Sequence, residues 1–247
     1  NRSLLRISCR FDSCRGHHYF EEIKMVKKIK RALFFIKTWG FHTFVMECID
    51  RIADRYYEIY FNIETTGYIT IEQLKSENLE WGGYGAVYYR YMINTLSKLQ
   101  VDIPSSTLLD YGSGKGRALA YAASCNYKKI IGVENSKPLM EKARENIKKM
   151  KHRRTNDIVF EECDAQNYKI PSSVNIIYMY KPFQGLTLER VIDNIHLSFN
   201  ESPRKIFIIF WNDDEFEKII SNHDWITQIH HSQPHLHHSH GIYETKF

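Results

Sequence analysis

Between Thr107 and Ala123 the chain reads TLLDYGSGKGRALAYAA, an apolar run that stops at an acid, crosses three alternating glycines and passes into a helical pattern. A short apolar run of this kind reads as a strand buried on both faces, which needs helices above and below it. Glycine at the bend permits positive φ and lets a ligand approach the backbone, and N–H groups at a helix start favour an anionic group. A strand, a ligand-binding turn and a helix follow one another here.

The downstream chain repeats that order. Further strands are expected over 129–134, 158–162, 175–180 and 205–211, with helices over 117–125, 138–151, 187–199 and 214–221. Strand and helix alternating at this spacing predicts an α/β, doubly wound, mostly parallel sheet. Two more strands, 226–231 and 242–247, joined by a His/Pro/Ser turn, add a C-terminal antiparallel hairpin and bring the sheet to seven strands. Six histidines crowd into His230 to His240 with no carboxylate or cysteine among them, which reads as a solvated loop, and no metal is expected there.

Residues 1–80 read as a basic, mainly helical N-terminal extension, and 81–247 as the ligand-binding domain, beginning at the glycine-rich WGGYGA. With 247 residues and 43% hydrophobic composition the chain can bury a large core. The net charge of +5 is concentrated at the N-terminal end, where residues 1–55 hold twelve Lys/Arg against six Asp/Glu. Helices are expected over 21–37 and 43–61, a short extended piece over 68–72, and a helix carrying Val87, Tyr91, Leu96 and Leu99.

The apolar stretch 32–49, preceded by KMVKKIKR, is interrupted by Lys37, Gly40 and His42 and is short of the ~20 clean apolar residues of a bilayer span. Residues 24–49 are expected either to lie on an anionic membrane surface or to pack on the main domain. Five scattered cysteines fit a reducing compartment, so the expected location is cytoplasmic, or peripheral to a membrane. Cys9, Cys14, His17 and His18 lack zinc-finger spacing and read as part of a terminus, and no specific nucleic-acid motif is present.

The second strand ends at Glu134, twenty-four residues after Asp110, where a doubly wound fold places an acid on ribose hydroxyls. The third runs into CDAQ, which brings Asp164 to a third carboxyl edge, within reach of an adenine amino group. The bend is neither a Walker loop nor G-x-G-x-x-G, so a triphosphate and a dinucleotide fit poorly. Asp110, two residues before Gly112, would repel a pyrophosphate and suit an ammonium or sulfonium. S-adenosylmethionine carries both, and a carboxylate for the glycine amides.

In order and spacing, LLDYGSGKGRAL, GVENS, CDAQ and YMYKPF resemble the successive motifs of class I S-adenosylmethionine-dependent methyltransferases, across roughly residues 81–247. GSGKGR with the later YMYKPF is similar to a bacterial-type group of unassigned substrate that carries a helical N-terminal extension. More distantly, the loop resembles that of seven-strand protein lysine methyltransferases. The resemblance implies that Asp110 holds the methionine ammonium and that Gly112 and Gly114 line the methionine, with Ser113 and Gly116 completing the bend. Glu134 would take the ribose hydroxyls with Asn135 beside it, Asp164 and Ala165 would border the adenine, and Tyr84 would form part of a lid.

The candidate catalytic set is Tyr180, Lys181, Pro182 and Phe183. Many amine methyltransferases carry Asn or Asp before the proline; Lys181 has no side-chain acceptor, although its carbonyl, directed by Pro182, could accept a hydrogen bond. Near the pocket Lys181 would favour an anionic substrate or act as a base once buried, and otherwise it points to solvent. Tyr180 and Phe183 would sandwich a flat or methylated group or fill the rim. The expected function is in-line methyl transfer to an unidentified acceptor, protein or small molecule. Protein lysine N-methylation is one alternative, and a non-catalytic nucleotide- or membrane-binding module with a degenerate pocket is another.

Overall fold

The computed structural model describes residues 26–74, 80–212, 214–233 and 239–246. All five residues of β1 (Thr107–Tyr111) are buried, as a strand paired on both edges and covered on both faces must be. Because successive side chains alternate, Leu108 packs with Tyr89, Met92 and Leu119 on one face, and Leu109 with Leu188, Val191 and Ile195 on the other. β2 (Lys129–Glu134), β3 (Ile158–Glu162), β4 (Val174–Tyr180) and β5 (Phe207–Trp211) continue the parallel sheet. β6 (Ile226–Ser232) and β7 (His240–Thr245) form the antiparallel hairpin, giving seven strands in the order β3-β2-β1-β4-β5-β7-β6. Strand order reverses between β1 and β4, and such a switch point opens a crevice beyond the carboxyl ends.

The helices are α1 (26–39), α2 (Phe41–Phe61), α3 (Ile71–Leu74), α4 (Tyr89–Leu96), α5 (Arg117–Ser124), α6 (Lys137–Lys149), α7 (Gly185–Glu201) and α8 (Asp214–Ile220). In α5, Ala118, Ala120, Ala122 and Ala123 are all buried, small side chains that let the helix lie close to the sheet. In α6, a proline in the first turn and Lys148 and Lys149 in the last agree with the helix's geometry and dipole.

The expected extended piece over 68–72 is cut short by a helix that takes in Ile71 and Glu72. One antiparallel bridge pairs Ile69 with Tyr84, and α3 then starts at Ile71. Thr70 and Gln73 cap it reciprocally: the Thr70 N–H donates to Gln73 Oε1 at 3.0 Å and the Gln73 N–H to Thr70 Oγ1 at 3.3 Å.

The chain divides into two compact units between Arg51 and Ile52. Residues 52–74 and 80, grouped with the extension in the sequence, therefore belong to the sheet-bearing unit, where Asp54 and Thr65 hydrogen-bond Arg117. Cys9, Cys14, His17 and His18 lie outside the described residues, as do His235, His237 and His238. In the same unit His230 Nε2 meets Lys98 Nζ at 2.8 Å, whereas His240 Nε2 meets Thr95 Oγ1 at 3.0 Å.

Candidate functional site

A cavity of about 480 Å³ opens at the carboxyl ends of the strands, where the chain reversal leaves room. Its walls include Gly112, Glu134, Asn135, Asp164 and Ala165 from the predicted ligand set, Tyr84 above them, and Tyr180, Pro182 and Phe183 from the predicted catalytic set. Asp110 and Ser113 instead border an adjoining cleft of about 30 Å³ that shares Tyr84, Gly112 and Tyr180 with the larger one.

The bend between β1 and α5 is held open by glycine at positive φ. Gly112, at φ +70°, lies so close to Pro182 that an added Cβ would come within 2.3 Å of the proline Cβ. Its amides do not wait for a ligand, contrary to the expectation that they receive an anionic end. The N–H groups of Gly112 and Ser113 donate to Val133 O at 2.9 and 3.1 Å, Gly114 N–H to Glu134 Oε2 at 2.9 Å, and Gly116 N–H to Ser113 O at 2.8 Å. The second strand thus sets the shape of the bend.

The three acids differ in how far they are already satisfied. Asp110 is 3% exposed and accepts no hydrogen bond from the described residues. Burial pushes its carboxyl well above the usual carboxylate range, and the charge of Glu134 pushes the same way. Glu134 accepts from Gly114 N–H and, through Oε1, from Ser136 N–H at 2.8 Å, joining the bend to the start of α6. Burial raises its pKa against those two bonds and one from the Asn135 N–H. Asp164 accepts from the backbone N–H of Gln166 at 3.1 Å and from its Nε2 at 2.6 Å. Each carboxylate oxygen of Glu134 and Asp164 keeps a further lone pair for a ligand.

Above the bend runs a strap. The Tyr84 hydroxyl donates to Thr65 O, its backbone pairs with Ile69, and Lys115 Nζ sits 4.7 Å from its ring centroid. Trp81 pairs with Phe183, and Gly82 N–H donates to Pro182 O at 2.9 Å. Glu80 receives the Thr187 N–H at 2.9 Å and the Thr187 hydroxyl at 2.7 Å at the start of α7, anchoring the strap beside the rim.

Within the rim, Phe183 is buried edge-on to Tyr111, and Tyr180 is edge-on to Trp211. Lys181 is exposed, adopts φ +39°, and borders a separate hollow of about 180 Å³ with Glu80, Trp81 and Gln184. It does not line the main cavity.

Sequence reasoning missed Leu74, Trp81, Cys163 and the α6 start, Ser136 to Leu139, all on the cavity wall. The SKPL that follows Asn135 was the available signal for the last of these. It also missed the cation behind the strap. Arg117 donates through Nη1 to Asp54 Oδ2 and to Val87 O at 2.8 Å, through Nε to Thr65 Oγ1 at 2.9 Å, and lies 4.7 Å from the Tyr89 ring centroid. Glu58 gathers the Thr65 and Thr66 N–H groups, fixing the loop that receives the Tyr84 hydroxyl.

Residues 108–199 match a family model described as a methyltransferase domain. Comparison with curated proteins returns no match. Among solved structures, the chain is similar to an RNA methyltransferase from Salinibacter ruber in complex with S-adenosyl-L-homocysteine, at 19% identity over 65% of this chain and 92% of that one, with a TM-score of 0.49. It is similar to a ribosomal protein L11 methylase from Lactobacillus delbrueckii subsp. bulgaricus at 15% identity, covering 64% and 77% of the two chains, with a TM-score of 0.48. A SAM-dependent methyltransferase from Leishmania major is similar at 15% identity, covering 64% and 70%, with a TM-score of 0.49. The family match runs from β1 into α7, so residues 108–199, within a seven-stranded sheet that ends in an antiparallel hairpin, are similar to a methyltransferase domain.

Proposed function

We propose that the cavity holds S-adenosylmethionine and that the protein transfers its methyl group to an acceptor entering past Trp81, Tyr180 and Phe183. The observation that carries this reading is Asp110, a buried carboxyl at the switch point of the sheet that accepts no hydrogen bond from the described residues. Such a group is costly to bury alone and is matched by a ligand ammonium. Glu134, with Asn135 beside it, would take the ribose hydroxyls, and Asp164 and Ala165 would border the adenine. Gly112 would form the floor under the methionine and Tyr84 the lid, while Gly114, under the Tyr84 ring, and Gly116, against Ala143, would shape the bend rather than line the cavity.

When bound, the cofactor would supply an electrophilic methyl group on sulfur for transfer to the acceptor's lone pair. The chain's part is alignment, because an in-line displacement gains most from holding its reactants at contact distance. Asp110 would orient the methionine end, the strap would exclude water, and the aromatic rim would position the acceptor. No dedicated base is required.

Calorimetric titration with S-adenosylmethionine and S-adenosylhomocysteine, with NAD as control, tests the reading. Asp110→Ala and Glu134→Ala should each lose about 1.5–3 kcal/mol of binding, the range for hydrogen bonds to charged groups. Unchanged affinity in both variants, or a preference for NAD, defeats it. Tight binding without methyl transfer to any acceptor class would reduce the protein to a cofactor-binding module.

A further inference from the structure

Helix α1 has two kinds of surface that are seldom exposed together. Lys27, Lys28, Lys30, Arg31 and Lys37 lie on it, and no acid occurs from residue 26 to 46. Val26, Ile29 and Leu33 recur at helical spacing along one side and are exposed, Leu33 at 61%. Phe34, 70% exposed, lies off the stripe between Lys27 and Lys30, and Trp39, 48% exposed, lies on another side of the helix. Lys27 and Arg31, four residues apart, occupy the far side, while Lys30 flanks the stripe and Lys37 ends it one turn after Leu33, where long side chains can reach outward from an apolar boundary.

We propose that α1 docks the protein on an anionic lipid surface, lying in its plane with Val26, Ile29 and Leu33 among the acyl chains and the lysines at the headgroups. Charge complementarity selects an anionic partner, at about 1 kcal/mol per basic side chain near such a surface. The apolar stripe then chooses among anionic partners: nucleic acid phosphates offer nothing to Ile29 or Leu33, whereas a bilayer interface offers both layers. A second copy of this face would bring ten cations together. The fourteen described residues of the helix span about 21 Å at the helical rise. Among the described residues, no helix is long and apolar enough to cross a membrane.

The test is co-sedimentation of the full chain with phosphatidylcholine vesicles, with and without phosphatidylglycerol as about a third of the lipid. Binding should be at least ~10-fold stronger with the anionic lipid and should fall with added salt. It should fall likewise for Lys27→Glu/Lys28→Glu/Lys30→Glu and, with the charge kept, for Leu33→Ser/Phe34→Ser. Brominated acyl chains should quench the added fluorescence of Leu33→Trp, a readout independent of either multiple variant. An unchanged unfolding transition checks that the variants fold. Equal or absent sedimentation with the two vesicle types overturns the proposal. So does a dimer that Leu33→Ser/Phe34→Ser abolishes, or RNA binding that the charge variant loses while the apolar variant keeps it.

Discussion

The ring of Tyr84 lies on Gly114: a Cβ added to that glycine, at φ +54°, would come within 2.4 Å of Tyr84 Cε2. Backbone conformation and close packing both demand glycine there. Gly114→Ala should destabilise the protein by about 2–4 kcal/mol, the sum of a left-handed backbone cost and overpacking. Removing the ring in the same chain, Tyr84→Ala, should recover the packing part alone, so a double-mutant cycle in urea should show coupling above about 0.5 kcal/mol. Additive losses would mean that the ring is not what excludes a side chain.

If Asp110 holds the cofactor's ammonium, cofactor affinity and stability should respond to pH in opposite directions. Its carboxyl is raised by burial and by Glu134, so without ligand the folded state holds a proton that the unfolded chain releases at ordinary carboxylate pH. That stabilising contribution is fully present below the unfolded pKa and is lost as pH rises through the folded value. A bound ammonium needs the ionised form, so S-adenosylmethionine affinity should climb over the same window. In Asp110→Asn both slopes should flatten, as read by thermal unfolding and calorimetry across mildly acid to neutral pH. A wild-type affinity independent of pH would separate Asp110 from the ammonium.

Why the sheet was legible and the strap was not comes down to distance along the chain. β1, β2 and β3 span the expected residues, and in β1 and the middle of β2 this is because a strand covered on both faces leaves a continuous apolar run in the sequence. β7 starts at His240 rather than 242: His240 and Gly241 look like turn residues, yet they pair with Trp211 and Phe210. The glycine bend and its acids were readable because strand, turn and helix are contiguous. Asp54 and Arg117 are 63 residues apart, and no local pattern announces a pair that only the tertiary fold brings together. The capping signature TIEQ was local and readable, but the isoleucines around it mimic a strand.

Arg117 and Asp54, each 5% exposed as side chains, form a buried pair to which Glu58 contributes from 3.8 Å. Arg117→Met would leave two carboxylates facing one another without a cation, a loss of about 3–5 kcal/mol. Arg117→Met/Asp54→Leu should be less damaging than Arg117→Met alone, since an apolar replacement of both partners is often tolerated. Urea unfolding of the three proteins measures this, and a double variant worse than the single one would assign Asp54 a stabilising role apart from the arginine. Because the same network fixes Thr65, whose carbonyl receives the Tyr84 hydroxyl, the single variant should also weaken cofactor binding.

Lys181 sits where amine methyltransferases often carry a side-chain acceptor, yet its backbone is left-handed and its side chain is exposed outside the main cavity. Asparagine tolerates that conformation better than lysine, and glycine best. Lys181→Gly should therefore raise stability by up to about 1 kcal/mol, the lower bound of the left-handed penalty. Lys181→Asn should be neutral or slightly stabilising, and in both variants S-adenosylmethionine affinity should match wild type. Methyl transfer then decides what the side chain does. Unchanged turnover fits a lysine whose only constraint is the turn before Pro182. Turnover that falls while cofactor affinity holds would mean that Lys181 reaches the acceptor, and would make the hollow it shares with Glu80, Trp81 and Gln184 part of the acceptor's path.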